Sequence, residues 1–240
     1  MGRPGSGLAS YQSTIIKICG LRTAADAKAA RDAGADIVGF VVVEGATRAV
    51  PVDKLAFIAS DLRKAGAKKV GDAVRIAALT VNADDELIQS ISPLVDILQL
   101  HGDETPDRAA AIGLATGLAV AKAIGVAGQD DLRRAAAYAG HVDFLVLDSA
   151  PSSDGPERGG LGRGFDWSLL DEYRGEAPFL LAGGLTRANV RGAVAAAARN
   201  AKFSGVDVSS GVERERGVKD AELMRAFVDA ARRPGERGPS

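Results

Sequence analysis

The stretch Ile37-Val38-Gly39-Phe40-Val41-Val42-Val43 contains no polar side chain along its whole length. A strand with one face in water alternates apolar and polar residues. A continuous apolar run is instead typical of a parallel strand covered by helices on both faces. The run Phe144-Leu145-Val146-Leu147 has the same character. Both runs predict strands inside an α/β fold.

Eight apolar runs of this kind recur along the chain, separated by segments rich in Ala, Leu, Arg, Asp and Glu with helical spacing. They begin near Ile15, Ile37, Ile76, Val95, Leu118, Val142, Phe179 and Val206. Eight strands alternating with helices predict an α/β protein with a single (β/α)8 TIM barrel. A doubly wound open sheet is the alternative, but it would usually carry a Gly-rich fingerprint in its first strand-to-helix turn.

Helix signals support this alternation, and no internal domain boundary is visible. Thr23 is predicted to cap the first helix, and Pro106 suits the first turn of the fourth. The last helix is expected over 217–232, with Val218 on its core face. We expect one catalytic domain over 13–232. Residues 1–12 and 233–240 have few apolar anchors and are predicted to be disordered.

Composition narrows the functional classes. The chain has 240 residues with 30 Lys and Arg against 31 Asp and Glu, so its net charge of −1 favours neither nucleic acid nor an anionic membrane. One cysteine excludes an internal disulfide, and with only two histidines the chain cannot build a thiolate zinc site. No apolar stretch reaches the roughly 18 residues of a membrane span, and no signal peptide is recognisable. We therefore expect a cytoplasmic protein without a metal.

In a barrel the carboxyl ends of the strands meet at one rim, where active sites lie. The residues at those ends are the site candidates: Cys19, Arg48, Asn82, His101, Lys122, Asp148, Gly183-Gly184 and Ser209-Ser210-Gly211. The two Gly/Ser turns follow strands 7 and 8, where backbone N–H groups can surround a phosphate. Ordinary turn chemistry is the alternative explanation for both.

Cys19, the only cysteine, ends the first strand. It is either a pocket thiol or a small buried hydrophobic residue. Lys17 has the same strand parity and should point inward, so it needs a carboxylate, for which Asp207 on the neighbouring strand is the best candidate. The positive charge of Lys17 would also favour a thiolate at Cys19.

Three further side chains are each open to two interpretations. Asp148 ends a strongly apolar strand, where burial raises the pKa of a carboxyl and suits it to general acid catalysis, but a loop-capping role is equally compatible. The planar guanidinium of Arg48 matches a ligand carboxylate, although most arginines are solvated surface residues. His101 either orients a ligand or is a satisfied core histidine.

Taken together and in this order, several stretches resemble the phosphoribosylanthranilate isomerase family. They are Lys17-Ile18-Cys19-Gly20-Leu21, Thr47-Arg48-Ala49-Val50, Val81-Asn82, Gln99-Leu100-His101-Gly102-Asp103-Glu104, Leu147-Asp148, Gly159-Gly160, Leu181-Ala182-Gly183-Gly184-Leu185 and Gly205-Val206-Asp207-Val208-Ser209-Ser210-Gly211-Val212-Glu213. Collinear motifs at nearly every strand end make this resemblance specific.

The resemblance implies an Amadori rearrangement in tryptophan biosynthesis, without metal or cofactor, on a phosphorylated small molecule. Asp148 would be the general acid and Cys19 the general base, while Arg48 would bind the anthranilate carboxylate. The phosphate would be held by Gly160, Gly183, Gly184, Ser209, Ser210 and Gly211. Lys17, Asn82, His101 and Asp207 would complete the pocket, in a monomer or a homodimer.

Two alternative functions remain at this point. One is the related phosphoribosyl isomerase of histidine biosynthesis, or a bifunctional form. That family is expected to carry an aspartate where Cys19 stands and a further phosphate turn in the first half of the barrel. The other is a non-catalytic phosphosugar-binding barrel in which Cys19 is merely buried.

Overall fold

Eight parallel strands close into a barrel in chain order, with β8 paired to β1. The computed structural model describes residues 14–64, 74–150 and 166–232. The strands are β1 Ile15–Ile18, β2 Ile37–Val41, β3 Arg75–Thr80, β4 Ile97–Leu100, β5 Ala119–Val126, β6 Phe144–Ser149, β7 Phe179–Leu181 and β8 Phe203–Val208. The predicted (β/α)8 barrel is therefore confirmed. The predictions of disorder for 1–12 and 233–240 lie outside the described residues.

Helices cover the outside of the barrel between the strands. The α-helices are α1 Ala24–Asp32, α2 Val52–Lys64, α3 Asp85–Ile91, α4 Pro106–Thr116, α5 Gln129–Ala136, α6 Val190–Ala197 and α7 Ala221–Arg232. Short 3-10 helices occupy Ser92–Leu94, Trp167–Glu172 and Ser210–Val212. The Thr23 hydroxyl accepts the Asp26 N–H at 3.0 Å and Pro106 is the first residue of α4, as predicted.

The strands are apolar on both faces because each face is buried against something different. Inward side chains such as Ile37, Phe144 and Val146 form a core inside the barrel. Outward ones such as Val38, Phe40 and Leu145 pack in the larger core beneath the helices. This explains why the run 37–43 lacks the alternation of a one-sided strand.

The prediction of a helix over 217–232 was wrong at its start. A short hairpin precedes the helix: β9, Glu213–Glu215, pairs antiparallel with β10, Val218–Lys219. Gly217 turns the hairpin with φ of +81°, and the Asp220 carboxylate accepts the N–H groups of Glu222 and Leu223, both at 2.9 Å. That carboxylate caps the first turn of α7, so the helix begins only at Ala221, and Val218 lies in β10 rather than on the helix.

Candidate active site

Cys19 lies at the rim directly after β1, with only 5% of its surface exposed. Its N–H donates to the Val208 carbonyl at 2.8 Å, which continues the pairing of β1 with β8. The thiol occupies the space above Gly39 of β2, where a Cβ atom would lie 2.9 Å from Sγ. Sequence reasoning missed Gly39 as a site residue, although a glycine inside a strand of large apolar residues signals a close approach.

Lys17 and Asp207 form a buried ion pair beneath the thiol. They are register partners on β1 and β8, and Lys17 Nζ lies 2.9 Å from Asp207 Oδ2. Burial lowers the pKa of Lys17, but Asp207 and Cys19 outweigh it and raise that pKa above its ordinary value. The ammonium therefore stays charged, and the predicted pairing with Asp207 is present. Asp207 Oδ1 is buried without a hydrogen-bond partner among the described residues.

Asp148 lies near the carboxyl end of β6, with the same inward parity as Phe144 and Val146. Burial, and next the negative charge of Asp207, raise its pKa from 3.8 to about 6, while the Ser149 N–H and Lys17 oppose the rise. A carboxyl group with this pKa can carry a proton near neutral pH, which suits it to donate one.

Arg48 is held by an acidic residue that sequence reasoning did not single out. Its Nε and NH2 donate to Glu213 Oε1 and Oε2 at 2.7 and 2.8 Å. Lys219 Nζ donates to the same Oε1 at 2.8 Å. Burial would raise the pKa of Glu213, but the hydrogen bonds from Arg48, Lys219 and the Gly217 N–H lower it to about 2. Glu213 is therefore a permanent anion at the rim.

The turns after β7 and β8 pack against each other. Gly183 and Gly184 adopt φ of +87° and +61°, and a Cβ on Gly183 would collide with the Ser149 backbone. A Cβ on Gly211 would collide with the carbonyl of Leu185, which directly follows the first turn. Glycine is thus required for this close packing. Ser209 and Ser210 begin the second turn, whereas Gly160 lies outside the described residues.

Asn82 and His101 lie at the ends of β3 and β4, and both are exposed. Asn82 adopts φ of +48° and its Oδ1 accepts the Asp103 N–H at 2.8 Å, so it shapes the loop after β4. Although His101 is exposed, the protein that surrounds its ring removes part of its hydration, and this desolvation, followed by the charges of Lys122 and Lys17, lowers its pKa. A ligand contact for either residue stays a prediction.

Lys122, on β5, belongs to the framework beneath this loop. Its side chain is only 2% exposed, and Nζ donates to the Gly102 carbonyl at 2.6 Å and to Glu104 Oε2 at 3.2 Å. Glu104 also accepts the N–H groups of Asn82 and Gly102. These contacts fix the loop that carries His101.

Over 14–64, 74–150 and 166–232, no three His, Cys, Asp or Glu residues are grouped so that they could hold a metal ion. Among the described helices, none has the length and apolar character needed to cross a bilayer.

The barrel, with a thiol, a carboxyl of raised pKa and paired glycine turns at one rim, defines the class of (β/α)8-barrel enzymes with a C-terminal-face active site. Residues 16–230 match the family model of N-(5'phosphoribosyl)anthranilate (PRA) isomerase. The chain belongs to this family.

Relatives and solved structures agree with this assignment. The N-(5'-phosphoribosyl)anthranilate isomerase of Beijerinckia indica is 47% identical over 222 residues, covering 92% of this chain and 95% of the relative. Phosphoribosyl anthranilate isomerase from Thermotoga maritima has a TM-score of 0.75 at 31% identity, covering 91% of this chain and 98% of its own. A further structure of the enzyme, in complex with reduced 1-(o-carboxyphenylamino)-1-deoxyribulose 5-phosphate, has a TM-score of 0.72 at 30% identity, with the same coverage of both chains.

Proposed function

We propose that this protein converts N-(5-phosphoribosyl)anthranilate to 1-(2-carboxyphenylamino)-1-deoxyribulose 5-phosphate in tryptophan biosynthesis. The observation that carries the proposal is that two reactive groups lie at the same rim of the barrel. One is the buried thiol of Cys19, and the other is the carboxyl group of Asp148, whose pKa is raised to about 6. An Amadori rearrangement needs one acid and one base, and these two groups can fill those roles.

The first step opens the ribose ring. The Asp148 carboxyl donates its proton to the ring oxygen as the bond from that oxygen to C1 breaks. The nitrogen lone pair forms the C1–N double bond and gives a cationic Schiff base. An acid with the ordinary pKa of 3.8 would be almost fully ionised at neutral pH, so the rise to about 6 increases the reactive fraction roughly a hundredfold.

The second step moves a proton from C2. Cys19 takes it as a thiolate, the C2–H electrons form the C1–C2 double bond, and the cationic nitrogen becomes neutral. The resulting enolamine becomes the ketone when C1 is protonated and the C2 hydroxyl loses its proton. Lys17 lies two residues before Cys19 on the same face, so its charge opposes the cost of a buried thiolate. Proton transfers alone balance the reaction, so it requires no metal or cofactor.

Two parts of the rim would bind the two charged groups of the substrate. Arg48 would bind the anthranilate carboxylate. Gly183, Gly184, Ser209, Ser210 and Gly211 would surround the phosphate, together with Gly160. The left-handed glycines and the close packing of the two turns support this assignment, because they let backbone N–H groups approach an anion.

The test is the loss of phosphoribosylanthranilate fluorescence on freshly prepared substrate. Wild type should turn it over, while Cys19→Ala and Asp148→Ala should each lose a factor of about 10² or more. The exposed Asp61→Asn, on the outer helix α2, is the matched control and should keep full activity. Turnover by both rim variants within about tenfold of wild type would contradict the assigned roles.

We further propose that the protein acts in the cytoplasm on this phosphorylated small molecule alone, as a monomer or a homodimer. Its balanced net charge of −1 supports the absence of nucleic-acid and membrane partners. Light scattering on a size-exclusion column distinguishes the two oligomeric states. A mass above that of two chains would contradict both.

A further inference from the structure

Glu213 accepts four hydrogen bonds through a side chain that is only 4% exposed. Arg48 Nε and Lys219 Nζ reach Oε1 at 2.7 and 2.8 Å, while Arg48 NH2 and the Gly217 N–H reach Oε2 at 2.8 and 2.9 Å. Each carboxylate oxygen therefore has two donors. The short hairpin β9–β10 provides Glu213 and Lys219 from its two strands, which fixes the anion in place.

Among the residues that the structure describes, Glu213 occupies only one edge of the Arg48 guanidinium. Of five N–H bonds, Glu213 takes the one on Nε and one on NH2, which leaves three, including both on NH1. The Arg48 side chain is 23% exposed against 4% for Glu213, so Arg48 presents more surface to a ligand than Glu213 does. An arginine already held along one edge loses less conformational entropy when a ligand carboxylate binds to the other.

Lys219 extends the same contact to the second turn. Its side chain is fully buried, and Nζ donates to the Ser209 carbonyl at 2.8 Å and to the Ser209 hydroxyl at 3.3 Å as well as to Glu213. All three ammonium hydrogens thus have acceptors. Ser209 Oγ and the Arg48 side chain also both lie against Gly20, so Arg48 and the Ser209 turn approach one point of the rim.

We infer that Glu213 is a positioning residue that holds Arg48 for the substrate carboxylate and, through Lys219, holds the Ser209 turn for the phosphate. This inference rests on the proposed function. The anion Glu213 lies between the cations Arg48 and Lys219, so the three side chains carry a net charge of +1. A bound carboxylate would neutralise that charge. Glutamine at this position has one acceptor oxygen in place of two, so its amide hydrogens would face cationic donors.

The experiment compares Glu213→Gln with Glu215→Gln, an exposed carboxylate on the same hairpin. Affinity is measured by calorimetry for two probes. One is reduced 1-(o-carboxyphenylamino)-1-deoxyribulose 5-phosphate, and the other is the same compound without its carboxylate. We expect Glu213→Gln to weaken the affinity for the first probe about tenfold or more, as for loss of one charge-assisted contact. The fold-loss for the second probe should be at least three times smaller. KM should rise by more than kcat falls. Glu215→Gln should match wild type.

The role of Arg48 is isolated by a second pair of variants. In an Arg48→Met background, adding Glu213→Gln should change the discrimination between the two probes by less than twofold, because the residue that Glu213 positions is gone. Glu213→Asp keeps the charge on a shorter side chain, so it should lose affinity for the same probe as Glu213→Gln but to a smaller extent. This variant replaces Glu213→Gln in the experiment if Glu213→Gln does not fold.

Three results would overturn the inference: unchanged affinity for both probes, an equal loss for both, or a fall in kcat alone. These outcomes differ from failure of the proposed function. If wild type binds the carboxylated probe and turns over substrate, but Glu213→Gln behaves like wild type, then only the role of Glu213 is wrong. If wild type neither binds the probe nor turns over substrate, the proposed function is wrong, and the inference falls with it.

Discussion

Replacing Asp148 with asparagine should stabilise the protein while it abolishes proton donation. Burial raises the pKa of this carboxyl from 3.8 to about 6, so its ionised form is disfavoured in the folded state. Below pH 4 the group is protonated both folded and unfolded and costs nothing. As pH rises, the unfolded chain releases the proton first, and the full cost is present above about pH 6.

The size of the effect follows from the two pKa values. At about 1.4 kcal/mol for each pKa unit, the rise from 3.8 to about 6 costs at most about 3 kcal/mol at pH 8. At pH 5 the same relation gives roughly half of that. Asparagine is neutral at every pH, so the stability advantage of Asp148→Asn should shrink by about 1.5 kcal/mol between pH 8 and pH 5.

Urea unfolding of both proteins at pH 5 and pH 8 measures this difference. The change with pH is the informative quantity, because any hydrogen bond altered by the amide affects both conditions equally. For a chain of this size, 3 kcal/mol corresponds to an increase in Tm of roughly 6–12 °C at pH 8. Asp61→Asn, which lies exposed on α2, should show no such dependence. An advantage for Asp148→Asn that is the same at both pH values, or larger at pH 5, would refute the reasoning.

Further predictions concern the rest of the rim. In single-turnover measurements, the rate of ring opening, the step assigned to Asp148 alone, should fall above about pH 6 as Asp148 loses its proton, and a ring-opening rate that is flat from pH 5 to 8 would contradict its role as the acid. Lys17→Met leaves Asp207 buried without its cation and should lower the free energy of unfolding, measured by urea titration, by about 3–5 kcal/mol. The double variant Lys17→Met with Asp207→Leu should recover most of that loss. Gly39→Ala brings a methyl group within 2.9 Å of the Cys19 sulfur, which displaces the thiol. In the fluorescence assay kcat should therefore fall about tenfold or more. The far-ultraviolet circular dichroism should stay unchanged, because the fold is kept.

The barrel could be predicted from sequence because its strands are buried on both faces. Continuous apolar runs such as 37–43 report that burial directly, and their number sets the number of strands. Strand parity then predicted that Lys17 points inward beside Asp207, since both residues belong to regular strands.

Other parts of the site depend on contacts between distant segments that no local pattern reveals. Glu213 meets Arg48 across 165 residues, and the hairpin that brings them together looked like the start of a helix because Val218 fits a helical core spacing. The role of Gly39 depends on the position of a sulfur atom on another strand. Such contacts can be recognised only when the closed barrel is known.

The Lys17–Asp207 ion pair joins residues 190 positions apart, across the seam where the first strand meets the last. During synthesis the thiol and Arg48 leave the ribosome well before Asp207, the second glycine turn and Glu213. A chain interrupted after β7 would expose an unpaired edge of β1 with a lone buried-type lysine beside it, which invites aggregation. A chain without β8 would lack both Asp207 and Glu213, so we expect it to be inactive rather than a weaker enzyme.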